Sequence, residues 1–345
     1  MNKKPLPYIF PFDFENGVVQ IARQSGIGFA DKNGKMIVPC IYNTAYPFME
    51  DLAYVKKGKR KGYINKLGEE VLSIPYEEGD FFSEGLASVM QNGKWGFIDK
   101  SGELAIPCVY DDVNWFKEDL CGVFIDDKGG FIDKSGKLVI PCIYDDVIVF
   151  SEGLAMVFKD NKWGLVDKEG NIIIPIEYES VGDCKGGLVC VEKGGQWGVL
   201  NKEGEIVVPF TYEGMSNEYS EGMAIVIKDN KRGCINTNGE IVIPFQYDSM
   251  YSFSEGLAAV LLNGRWGYID KDNKLVIPNE YKEARSFYDG LAFVKGEGRR
   301  AYYIDKNNEV NIFLRKEYTV VEKVKLIVLS AAVIGIIALL ISKLF

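Results

Sequence analysis

Short apolar stretches alternate with polar positions along most of the chain, and turn residues punctuate them. Leu86-Ala87-Ser88-Val89-Met90 has the period-two pattern of a half-buried strand. Asn92-Gly93 follows as a two-residue hairpin signal, and residues 95–99 make the next strand. Asp99-Lys100-Ser101-Gly102 reads as a turn, its glycine supplying a positive φ. Residues 104–106 are a third strand, which Pro107 should end because it has no N–H for a ladder. Residues 110–116 are a connecting segment or a short fourth strand, and Ser83-Glu84-Gly85 turns the chain into the next unit. No segment before residue 313 shows a 3.6-residue period, so the pattern predicts small β-meanders and no helix there.

The meander repeats. One column reads Asp31, Asn65, Asp99, Asp133, Asp167, Asn201, Asn236, Asp270 and Asp305, with successive gaps of 34, 34, 34, 34, 34, 35, 34 and 35. A tyrosine column keeps the same register from Tyr8 and Tyr42 to Tyr247 and Tyr281. The proline three places before it runs from Pro5 and Pro39 to Pro244 and Pro278, shifting only in the second unit, to Pro75. An aromatic column includes Phe14, Phe48, Phe82, Phe116, Phe150, Tyr219, Phe253 and Phe287, with Cys184 as its exception. A single meander cannot bury its apolar face alone, so nine tandem units imply stacking with a continuous core.

Composition narrows the chemistry. The chain contains no histidine, which removes the commonest general base and metal ligand. Lys plus Arg is 40 against 49 Asp plus Glu, and a formal net charge of −9 speaks against nucleic acid as a partner. The seven cysteines form no C-x-x-C pair, and prolines 5, 7 and 11 interrupt any signal-peptide core, so free thiols and a cytoplasmic repeat region are expected.

The strings Lys94-Trp95-Gly96-Phe97-Ile98-Asp99-Lys100, Ser151-Glu152-Gly153-Leu154-Ala155 and Ile140-Pro141-x-x-Tyr144-Asp145 resemble the bacterial WG-repeat family. The resemblance covers about residues 5–313 and implies a β-rich repeat domain with no general enzymatic activity attached. The tryptophan itself persists only at Trp95, Trp163, Trp197 and Trp266; the matching places hold Ile27, Lys61, Gly129, Arg232 and Ala301.

Residues repeated in every unit read as packing and turn elements. The tryptophans are expected to pack between units, though a ladder of exposed aromatics for sugars or peptides is the alternative. The aspartate column forms turns, and Cys40, Cys108 and Cys142, each one place after the repeat proline, act as small hydrophobes. The pairs Asp111-Asp112 and Asp145-Asp146 are expected in solvated loops, because adjacent strand residues point to opposite faces. Trp115 stands outside the repeated columns, at the place of Phe81 and Val149, and is the one candidate for a specific contact. No catalytic, cofactor-binding or metal residue is assigned.

Residues 326–342 are seventeen positions without a charge, eleven of them Leu, Ile or Val. As a helix they span about 26 Å, close to a hydrocarbon core, and the aliphatic residues favour insertion by about 3–7 kcal/mol. Arg315, Lys316, Lys323 and Lys325 precede the span and only Lys343 follows it, which places the repeats on the cytoplasmic side as a tail-anchored protein. Ala331 and Gly335 could let two such helices approach and self-associate.

The expected organisation is a nine-unit repeat domain over 1–313, a basic juxtamembrane linker over 314–325, a transmembrane helix over 326–342 and a tail of 343–345. The fold class is all-β tandem repeat. Propellers typically close with 4 to 8 blades, so nine short units point to an open curved array, with a closed β-propeller as the alternative. The expected function is a non-enzymatic membrane-anchored scaffold for a protein or peptide, needing no cofactor; a surface-facing glycan or cell-wall-binding module is the alternative.

Overall fold

The computed structural model describes residues 6–8, 11–15, 17–298 and 301–316. They form nine consecutive antiparallel sheets arranged as a β-propeller. Blades 1 to 9 cover residues 11–42, 44–73, 78–110, 112–144, 146–178, 180–212, 214–247, 249–281 and 283–316. Blade 5 is representative, with strands Asp146–Val147, Leu154–Lys159, Lys162–Asp167 and Ile172–Tyr178 in that spatial order. Its central ladder is unbroken, from Leu154 opposite Asp167 to Lys159 opposite Lys162.

The fourth strand does not end at the proline. In blade 3 it runs as Leu104–Tyr110, with Ile106 opposite Phe97 and Tyr110 opposite Trp95. Residues 107–109 bulge, which accommodates the missing N–H on an edge strand. The bulge lies directly on the WG glycine. A Cβ at Gly96 would stand 2.5 Å from the Ile106 carbonyl oxygen and 2.6 Å from the Cys108 nitrogen. The glycine is therefore demanded by backbone approach. Blade 9 shows the converse: Tyr302 takes the glycine's place and Phe313 the proline's, and the two pair directly.

A single residue, such as Asp111 or Glu179, separates each fourth strand of blades 3 to 8 from the first strand of the next blade. This tight connection stacks the sheets face to face. Nine hydrophobic clusters result, one at each blade interface. The ninth joins the ends: Val19, Ile21, Ala30 and Cys40 of blade 1 pack on Leu291, Phe293, Ala301, Tyr303, Ile312 and Leu314 of blade 9. Leu6–Tyr8 also pairs in parallel with the final strand Val310–Lys316, and Gly17 N–H donates to Asp289 Oδ2 at 2.6 Å.

The open curved array is thus corrected to a closed propeller. An open array would leave the apolar faces of blades 1 and 9 in water, whereas closure buries Val19, Ile21, Tyr303 and Ile312 against each other. The final strand continues to Lys316. The expected membrane helix over 326–342 lies outside the described residues; among those described, no helix is long and apolar enough to cross a membrane.

Candidate functional site

In a ring of repeats, constant columns hold the fold and variable columns mark where the units differ in task. One column at the end of the paired part of each first strand differs from blade to blade: Tyr46, Asp80, Asn114, Ile148, Gly182, Ser216, Tyr251 and Arg285. Their backbone role is nevertheless constant. Asn114 N–H donates to the Gly122 carbonyl at 2.8 Å, Ile148 to Met156 at 3.0 Å and Gly182 to Cys190 at 2.8 Å. The first strand is the sheet edge opposite the fourth strand, whose Leu104, Ile172 and Ile206 are exposed, so the first strands form the inner edge of the ring, where neighbouring blades meet. Gln20 Nε2 donates to the Ala45 carbonyl at 2.6 Å, and the rings of Phe81 and Trp115 lie 5.8 Å apart.

Two clefts open at equivalent places on this edge. The first, between blades 3 and 4, has a volume of about 140 Å³ and is lined by Asp80, Phe81, Leu86, Ser88, Phe97, Val113, Asn114 and Trp115. Trp115 is 44% exposed, so an indole face is available to a ligand. Asp80 Oδ1 accepts the Phe81 N–H at 2.7 Å, and burial pushes its carboxyl above the ordinary range, with that hydrogen bond opposing. Ser88 is buried.

The second cleft, of about 420 Å³, lies where blades 5, 6 and 7 meet and includes Ile148, Met156, Trp163, Gly182, Asp183, Asn217 and Glu218. Gly182 has no side chain to fill it, and a Cβ there would stand 1.6 Å from the Asn217 carbonyl oxygen. Blade 7 carries one extra residue at this point, which folds that carbonyl over blade 6. Between the two clefts, at the interface of blades 4 and 5, the Asn114 amide donates to the Val147 carbonyl at 2.9 Å. Gly122 leaves room for it, since a Cβ there would meet Asn114 Nδ2 at 2.7 Å.

The structure brings Trp115 to a cleft and keeps the other candidates in the scaffold. Trp95, Trp163, Trp197 and Trp266 are half-buried against interface clusters and form no continuous exposed stripe, although Trp163 also lines the second cleft. Asp99 Oδ1 accepts the N–H groups of Ser101 and Glu103 at 2.8 and 3.1 Å, as a turn former does. The Ser101 hydroxyl first, and these N–H groups with it, hold the Asp99 carboxyl below its usual range.

The acidic pairs do not converge: Asp145 pairs with Lys128 at 2.5 Å, while Asp146 Oδ1 accepts its neighbour's N–H at 2.8 Å. All seven cysteines are free. Among the described residues no group of three or more Cys, Asp or Glu could hold a metal ion. Sequence reasoning missed Asp80 and Ser88. Their signal was departure from column: Ser88 stands where other blades have Gln20, Tyr54, Gly122, Met156, Cys190, Ile225, Ala259 and Phe293, Gln20 being the one other member with a polar side chain besides the tyrosine and cysteine.

Fold and inner edge together define a nine-bladed β-propeller whose blades share one four-strand plan, with the fourth-strand bulge missing in blades 2 and 9, and are individual in their inner-edge side chains. The WG-containing repeat family matches residues 27–60, 62–95, 95–128, 130–163, 163–197, 197–231, 233–266 and 266–298, and the chain belongs to that family. No curated protein matches the chain. Among solved structures, one described as the crystal structure of the eukaryotic initiation factor is similar in fold, with a TM-score of 0.60, 10% identity, and coverage of 87% of this chain and 98% of that one. BamB from Moraxella catarrhalis gives a TM-score of 0.41 at 11% identity, covering 77% of this chain and 94% of its own. Hsv2p of Kluyveromyces lactis gives 0.41 at 9%, covering 67% and 93%.

Proposed function

We propose that the propeller is a non-enzymatic scaffold that holds a protein or peptide partner at its inner edge, with residues 326–342 anchoring it to a membrane and the ring on the cytoplasmic side. The observation that carries this reading is the contrast between columns. Strand pairing and interface packing recur from blade to blade, while Tyr46, Asp80, Asn114, Ile148, Gly182 and Tyr251 differ on one shared edge. Repeat surfaces of this kind suit extended partners. The first cleft offers a single acid, Asp80, with no second carboxylate beside it for two-acid hydrolysis.

A photo-crosslinking residue placed in the full-length chain at Phe81 or Tyr251 tests the reading, with Val207 on the outer strand as the control. The expected result is a discrete protein adduct from the inner-edge positions and none from Val207. Equal adducts from all three positions, or none from any, overturns the scaffold reading. The anchor has its own check: the full chain should stay with membranes in alkaline carbonate, and a chain ending at Lys316 should not.

A further inference from the structure

We propose that the cleft between blades 3 and 4 receives a cationic side chain of the bound partner, a guanidinium by preference, seated between the Asp80 carboxylate and the Trp115 indole. The inference rests on the scaffold reading and names the chemistry of one of its contacts.

Asp80 supplies the first argument. Its carboxylate sits in a cleft walled by Phe81, Phe97 and Trp115, and among the described residues its hydrogen-bond donor is the N–H of Phe81. Among the described residues no lysine or arginine forms an ion pair with it, and burial is what raises its carboxyl. That sets it apart from the acids of the repeated turns, such as Glu84 with Lys134 and Asp145 with Lys128. A partly desolvated carboxylate without a counter-charge is costly, and a cation arriving from outside removes that cost.

The walls supply the second. The rings of Phe81 and Trp115 lie 5.8 Å apart and tilted at 54°, and aromatic faces attract cations. Ser88 adds a hydroxyl that makes no hydrogen bond to the described protein residues and faces the same space. The cleft therefore presents acceptors and π-faces, the set that a flat guanidinium satisfies by stacking and forking at once. At blades 4 and 5 the Asn114 amide fills the equivalent place, and the second cleft has Ile148 and Met156 where this one has Asp80 and Ser88, so the acid and hydroxyl occur together here.

The test uses the full-length chain with 5-fluorotryptophan at its five tryptophans, the Trp115 signal being assigned with Trp115→Phe. N-methylguanidinium is titrated to 100 mM, with N-methylurea as the neutral isostere and N-acetylglucosamine as a third probe. The expected result is a saturable shift of the Trp115 signal with N-methylguanidinium alone. Asp80→Asn should weaken it at least tenfold while the other four signals stay in place. A linear response, a shift equal in Asp80→Asn, or saturation by N-acetylglucosamine in place of the cation overturns the proposal. If inner-edge cross-links form while the cation fails, the scaffold reading stands and only this assignment falls.

Discussion

Lys134 Nζ lies 3.0 Å from the Glu84 carboxylate, and the two residues belong to adjacent blades. The same carboxylate accepts the N–H groups of Glu118 and Asp119 at 2.6 and 2.9 Å, so it caps the neighbouring turn as well. The device recurs around the ring as Lys100 with Glu50, Lys168 with Glu118, Lys202 with Glu152, Lys271 with Glu221 and Lys306 with Glu255. Glu84 and several of its equivalents hold a positive φ in the turn, which points the carboxylate at the next blade.

The first prediction concerns acid. Burial alone would raise the Glu84 carboxyl, but the Lys134 ammonium and the two N–H groups outweigh it and hold it below its ordinary value of 4.5. The folded state then keeps this group ionised at pH values where the unfolded chain protonates it. Its contribution is complete above pH 4.5 and fades as pH falls through the lower, folded value. Glu84→Gln should cost about 0.5–1 kcal/mol at pH 7. Urea unfolding at pH 7 and pH 3 should show that gap narrowing at the lower pH; a gap unchanged between the two would mean that Glu84 is not acting through its charge.

One interface lacks the device on both sides. Gly186 stands where the glutamate would be and Thr237 where the lysine would be, so blades 6 and 7 have lost the pair together. Lys185 and Glu218, 3.1 Å apart, make a different ion pair across the same interface. Gly186 has φ +60° and Glu84 +51°, so the backbone already suits a glutamate. Gly186→Glu combined with Thr237→Lys should therefore stabilise the ring beyond the sum of the single changes, by about 0.3–1 kcal/mol. A double-mutant cycle from denaturant midpoints measures this, and zero coupling would show that the turn of blade 7 sits out of reach.

Much of this architecture was legible in the sequence. The 34-residue period, the Asp99-type turn, the buried aromatic column and the packing role of cysteine all follow from residue type and spacing, whereas the blade boundary lies before Glu78 and not at the Ser83-Glu84-Gly85 turn. Closure was not, because the interface of blades 1 and 9 joins residues such as Ile21 and Tyr303 that no local pattern relates. The proline bulge was misread as a strand end for a similar reason. Pro107 alone says only that one N–H is missing, and Gly96, eleven positions earlier, explains how the strand continues. Asp80 and Ser88 escaped notice because each looks ordinary until the fold places them beside Trp115.

The glycine argument makes its own prediction. A Cβ at Gly164 would stand 2.7 Å from the Ile174 carbonyl oxygen and 2.8 Å from the Ile176 Cα. Backbone on the facing strand cannot swing aside as a side chain would. Gly164→Ala should thus cost about 1–3 kcal/mol and lower the thermal midpoint. A variant within about 0.5 kcal/mol of the parent would show that the bulge can lift off without loss.

The cysteines report which interface opens first. Burial pushes the Cys190 and Cys234 thiols up to about 12 and that of Cys184 to about 11, so little thiolate exists at pH 8 to attack an alkylating agent. Labelling of these three by iodoacetamide must then wait for local opening. Cys190 packs in the cluster between blades 6 and 7, and Cys234 in that between blades 7 and 8. The second interface carries the Glu221–Lys271 pair, whereas the first has Lys185–Glu218 and lacks the turn-capping glutamate. Cys190 should therefore label faster than Cys234 in the folded ring, and Gly186→Glu with Thr237→Lys should slow it selectively. Mass spectrometry of timed samples reads both rates. Equal rates that fall together in the double variant would mean that the ring opens as one unit, with no weak seam between blades 6 and 7.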